Sequence, residues 1–162
     1  MIKPIKKLVW TLLNTLGLGG SVQLYLKSAL KDYGWFKSFH QKQSIDADGQ
    51  PLPWYTYTFI AFVTSRIKPH FDVFEYGSGN STRWYAARVK RVIAVEHEPA
   101  WVAHIKNQMP ENVTLLSRPL DASYPEAVAE TGRMFHLIVV DGRQRVACTK
   151  ASVAQLTDDG VL

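Results

Sequence analysis

The chain has 162 residues, 46% hydrophobic and 20% charged with 19 aromatics, a composition that excludes disordered, collagen-like and low-complexity chains and provides one domain's worth of core. Its net charge of +5 is unevenly spread: residues 1–42 hold seven lysines against one acid, Asp32, and the remainder holds 12 Lys/Arg against 13 Asp/Glu. That near-neutral body lacks the basic stripe a nucleic-acid backbone requires, and the single cysteine, Cys148, excludes an intrachain disulfide and fits a reducing, cytoplasmic setting.

The first predicted element is a helix in which Ile5, Leu8, Val9, Leu12, Leu13 and Leu16 share one face, stopped by Gly17, Gly19 and Gly20. Lysines crowd its first turn, the wrong end for the helix dipole, so Lys6 and Lys7 are not there to stabilise the helix. The stripe fits peripheral contact with an anionic membrane surface or a partner; the alternative is docking on its own domain. No apolar run reaches the ~18 to 20 residues of a bilayer span. Lys3, Lys6 and Lys7 ahead of Leu8–Leu16 imitate a signal peptide, but Asn14 interrupts the run and no small-x-small site follows.

A second helix is predicted from a Ser21 N-cap to about Tyr33, ended by Gly34. Residues 38–53 are polar and turn-rich. Asp46-Ala-Asp-Gly49 reads as a plain turn, because a calcium loop in that register would need glutamate where Tyr55 stands. Pro53 suits the first turn of a helix from Trp54 to about Lys68. The chain thus divides into a basic helical segment, 1–50, and a body, 51–162.

From Phe71 short apolar strands alternate with helices. Strands are predicted at Phe71–Tyr76, Arg91–Glu96, Val113–Ser117 and Phe135–Asp141, with helices at Ser81–Val89, Pro99–Gln108, Pro125–Thr131 and Arg145–Leu156. Alternation of this kind, with the apolar run Leu137–Val140, predicts an α/β fold: a Rossmann-like, doubly wound parallel sheet of about four strands plus the start of a fifth.

The sharpest motif is Glu75-Tyr-Gly77-Ser-Gly79-Asn80-Ser81-Thr82, a strand entering a glycine turn that opens a helix. Gly77 and Gly79 admit a ligand close to the backbone, and the helix start offers N–H groups to a carboxylate. A dinucleotide fingerprint needs a third glycine where Thr82 stands, and Glu75 repels a diphosphate but attracts an ammonium group. Glu96 ends the second strand, where an acid accepts hydrogen bonds from two ribose hydroxyls. Amine, carboxylate and ribose contacts together describe S-adenosylmethionine.

Over residues 54–162 the chain resembles the class I, Rossmann-like S-adenosylmethionine-dependent methyltransferases. Glu75-Tyr-Gly-Ser-Gly is similar to their first motif, Val95-Glu96 to the acidic end of their second strand, and Phe135-His-Leu-Ile-Val-Val-Asp-Gly142 to their fourth. The resemblance implies Glu75, Gly77 and Gly79, with Asn80, Ser81 and Thr82 of the same turn, around the methionine moiety, Glu96 on the ribose, and Asp121 near the adenine amine.

Asp141 is the candidate general base, acceptor-positioning group or metal ligand at the end of the fourth strand, with a small molecule or glycan-like group as the acceptor. Arg143 and Arg145 read either as contacts for an anionic acceptor or as a solvated loop. The five histidines lack metal spacing and are read as structural or surface residues. Trp54, Tyr55 and Tyr57 fit a lid over a sulfonium or core packing equally well. A non-catalytic binding or membrane-associated module and an NAD-dependent oxidoreductase are the rival readings. The resemblance implies a seven-stranded sheet, whereas the sequence predicts four strands and a stub, Val161-Leu162. On that count Leu137–Val140 should form an unpaired apolar edge, with weak cofactor binding, little or no methyl transfer and self-association as the consequences.

Overall fold

A computed structural model describes residues 2–162, in two compact units divided between Gln50 and Pro51. The second is an α/β Rossmann-like layer of five parallel strands in the order β3-β2-β1-β4-β5: β1 (Asp72–Tyr76), β2 (Arg91–Glu96), β3 (Val113–Ser117), β4 (Phe135–Val140) and β5 (Leu156–Val161). Side chains alternate between its faces. Phe74, Tyr76, Ile93, Val95 and Ile138 point to a core closed by Tyr124, Ala127 and Val128, whereas Val73, Val92, Leu137 and Val139 pack with Trp84, Tyr85 and Ala86. Both faces being covered explains why the central strands read as apolar runs rather than alternating ones.

The helices of this unit are α5 (Tyr57–Thr64), α6 (Asn80–Ala86), α7 (Pro99–Ile105), α8 (Ser123–Glu130) and α9 (Arg145–Ser152). Helix α5 is shorter than the predicted Trp54–Lys68. Its N-cap is Thr56, whose hydroxyl accepts the Phe59 N–H at 3.3 Å, so Pro53 lies ahead of the helix instead of in its first turn.

The largest departure lies at the C-terminal end. Helix α9 stops at Ser152, a single 3₁₀ turn follows, and Leu156 opens a six-residue strand in place of the two-residue stub. Phe135 pairs with Leu156 and Leu137 with Val161, with a register shift between them. Gly160 sits in that irregularity, where a Cβ would stand 2.8 Å from the Phe135 carbonyl oxygen. Strand β4 therefore has β1 on one side and β5 on the other, which corrects the expected unpaired edge.

The N-terminal unit holds α1 (Ile2–Thr15), α2 (Gly19–Leu26), α3 (Ala29–Asp32) and α4 (Trp35–Gln41). Gly17, at φ 70°, ends the first of these, but Gly19, Gly20 and Ser21 lie inside α2 and do not separate the two. The predicted second helix is broken at Ser28, whose hydroxyl accepts the Lys31 N–H at 3.2 Å and caps α3. Asp46 turns the chain as expected, accepting the Asp48 and Gln50 N–H groups at 2.9 and 2.7 Å. Among the described residues, Ile45 is the one buried apolar side chain of this unit apart from glycines.

Candidate functional site

The strand order reverses between β1 and β4, and at the carboxyl ends of the strands there a cleft of about 330 Å³ opens. Its lining comes from three turns: Glu75, Tyr76, Gly77, Ser78 and Ser81 after β1, Glu96 and His97 after β2, and Asp141, Gly142, Arg143 and Arg145 after β4.

Glu75 points to the side of the sheet that carries α6 and is 1% exposed. Its carboxylate accepts the Ser81 hydroxyl at Oε1 and the Thr82 hydroxyl at Oε2, both at 2.5 Å. The Thr82 oxygen in turn accepts the Gly79 N–H at 3.0 Å, so one buried hydroxyl ties the acid to the glycine turn. Burial pushes Glu75 up to about 7 from an ordinary 4.5; the two hydroxyls oppose the shift, and the Asp141 and Glu96 charges add to it.

Glu96 is 6% exposed. Its Oε1 accepts the His97 and Glu98 backbone N–H groups at 2.8 and 3.1 Å and lies 2.9 Å from His97 Nδ1. Its Oε2 accepts the Ser78 hydroxyl at 3.0 Å. A carboxylate oxygen has two lone-pair directions, so Oε2 keeps one for a further donor from the cleft.

The turns after β1 and β4 touch through two glycines. Gly77 is at φ 100°, in the region that favours glycine, and a Cβ on Gly142 would stand 3.1 Å from Gly77 N and 2.2 Å from the Tyr124 hydroxyl. From α7, the Trp101 indole N–H donates to the Ser78 carbonyl at 3.0 Å and steadies the same turn. Below the β4 turn the buried Cys148 thiol donates to the Arg143 carbonyl at 3.3 Å, and burial raises its pKa to about 11, which makes it a packing group rather than a nucleophile.

Asp141 and Arg145 form the rim. Arg145 Nη2 is 3.0 Å from Asp141 Oδ1, and both side chains are about half exposed or more, at 49% and 66%. Between them Gln144 takes a left-handed conformation, φ 51°, one of two non-glycine residues to do so among the described residues. Arg143 forms no side-chain hydrogen bond or ion pair with a described residue.

Of the residues singled out from the sequence, Glu75, Gly77, Ser81, Glu96 and Asp141 share the cleft, whereas Gly79, Asn80, Thr82 and Asp121 do not line it. Thr82 and Gly79 stand directly behind it in the hydrogen-bond relay. Asp121 is exposed and accepts the Ser123 N–H and hydroxyl at 2.8 and 2.6 Å, a turn residue at the start of α8 whose pKa those bonds lower. Sequence reasoning missed Ser78, Trp101 and His97. The signal for His97 was its place beside the strand-end acid. Trp54 is 78% exposed, and Tyr55 packs with the apolar cluster around Tyr85, whose hydroxyl is 3.4 Å from its own.

No protein-family model matches the chain, and no curated protein matches its sequence. Solved structures do match. The chain is similar to precorrin 8W decarboxylase of Methanobacterium thermoautotrophicum, with 20% identity and a TM-score of 0.54 over 74% of this chain and 67% of that one. It is also similar to a methyltransferase-like protein of Silicibacter pomeroyi, with 26% identity and a TM-score of 0.53 over 67% of this chain and 70% of that one. The chain shares with both the α/β Rossmann-like fold.

Proposed function

We propose that residues 51–162 form an S-adenosylmethionine-dependent methyltransferase domain acting on a small-molecule or glycan-like acceptor. The observation that carries this reading is the pair of buried carboxylates, Glu75 and Glu96, facing one cleft from adjacent strands with a glycine turn between them. Likeness to a methyltransferase-like protein supports it. The residues present fit the cofactor. Glu75 is a costly buried acid that a cation would relieve, the Glu96 Oε2 lone pair suits a ribose hydroxyl, and Gly77 leaves the backbone bare.

When bound, S-adenosylmethionine supplies a methyl group activated by its sulfonium. In this reading Glu75 holds the methionine ammonium and Glu96 the ribose. Asp141, in the lining of the cleft, would orient the acceptor's hydroxyl or amine and hold the proton that this group gives up. Arg145 positions Asp141 through their ion pair, and Arg143 on the same rim meets an acidic part of the acceptor. Parallel calorimetric titrations with S-adenosylmethionine, its demethylated product and NAD test the reading. The first two bind and NAD does not; heat from NAD alone would assign the cleft to a nicotinamide cofactor.

A further inference from the structure

We infer that the N-terminal unit docks on an anionic lipid surface through the apolar stripe of α1, a function independent of the cleft. The anomaly behind this is exposure. Ile5, Leu8, Val9, Leu12 and Leu16 are 63, 71, 49, 59 and 61% exposed, so within the N-terminal unit five of the six side chains of the α1 stripe stand open and Leu13 alone is half-buried. At about 100° per residue these five side chains share an arc of about 100°. A 14-residue helix is marginal in water unless its apolar face is buried, which makes a covering surface part of the account of why α1 is a helix at all.

Charge selects the surface. Lys6 and Lys7 are exposed; Lys6 borders the apolar arc, where its stem can lie along the stripe while its ammonium reaches headgroup level. Residues 1–42 hold seven lysines and one acid, so two copies of this unit repel one another while an anionic leaflet attracts both. The unit also exposes Tyr25 and Trp35, at 56 and 40%, residue types that settle at the boundary of headgroups and acyl chains, and the apolar Phe39 at 54%. Among the described residues no helix is long and apolar enough to cross a membrane, so contact is peripheral.

The test is flotation of the full chain with vesicles of phosphatidylcholine alone and of phosphatidylcholine mixed with phosphatidylserine, at low and high salt. The chain floats with the phosphatidylserine vesicles, and salt weakens the association. Replacing Lys6 and Lys7 by alanine lowers the partition coefficient on the order of tenfold, and L8E/L12E abolishes flotation. Because the stripe is exposed, L8E/L12E leaves circular dichroism and the thermal transition unchanged. Absence of phosphatidylserine-dependent flotation, capture by polyglutamate in its place, an oligomer that L8E/L12E dissociates, or loss of the thermal transition in that variant would each overturn the inference.

Discussion

Glu75 is the residue on which the site's electrostatics turn, because it is buried with two hydroxyl donors and no cation among the described residues. Its folded value of about 7 lies above the ordinary 4.5. A carboxyl raised on folding contributes stability that is complete below its unfolded value and is lost as pH climbs through the folded one. Thermal unfolding of Glu75→Gln and the native chain should therefore diverge between pH 4.5 and about 7, the variant gaining by about 3 kcal/mol at the upper end. Binding runs the other way. A ligand ammonium would draw Glu75 toward ionisation, so binding of S-adenosylmethionine should tighten as pH rises toward about 7, level off above it and release a proton below it, measurable from calorimetric heats in buffers of different ionisation enthalpy. Glu96 starts with its hydrogen bonds in place, and Glu96→Ala should weaken cofactor binding by about 1–3 kcal/mol with the fold intact; an unchanged Kd would remove it from the site. The sequence exposed both acids because Glu96 ends an apolar strand and Glu75 stands one residue short of the end of another, just ahead of the glycine turn. It did not expose the work of Thr82, which a glycine-counting motif registers as a missing glycine although its hydroxyl locks the acid to the turn.

At the scale of elements, the contact between the β1 and β4 turns sets the floor of the cleft. Gly142→Ala drives a methyl group toward the Tyr124 hydroxyl and the Gly77 backbone, neither free to retreat, and should cost about 1–3 kcal/mol of stability and weaken ligand binding in parallel. Denaturant unfolding and titration of the same sample measure both. The first four strands were legible nearly to the residue, since apolar runs bounded by Gly, Pro and charged residues mark a sheet buried on both faces. The fifth was not. Leu156-Thr-Asp-Asp-Gly-Val161 carries a turn's composition, and only its pairing with Phe135 and Leu137 makes it a strand. Helix ends were misjudged where a single hydroxyl decides: Thr56 and Ser28 cap α5 and α3 inside stretches whose apolar pattern runs on unbroken.

In the whole molecule, a doubly wound sheet puts every strand's carboxyl end on one edge, and the reversal beside β1 leaves room for a ligand there. Fold and cleft position therefore follow from the order of strands and helices, while the choice of acceptor in the proposed reading rests on the rim, where the sequence singled out Asp141 and left Arg143 and Arg145 open between acceptor contacts and a solvated loop. The central claim is that one cofactor touches the turns after β1, β2 and β4 together. Mapping backbone amide shifts in the 15N-labelled chain during titration with the demethylated cofactor product tests this directly. The account predicts that Gly77, Ser78, His97 and Gly142 move in concert along one saturation curve, with NAD leaving them in place. Saturation without movement at His97, or shifts confined to residues outside these three turns, would contradict it.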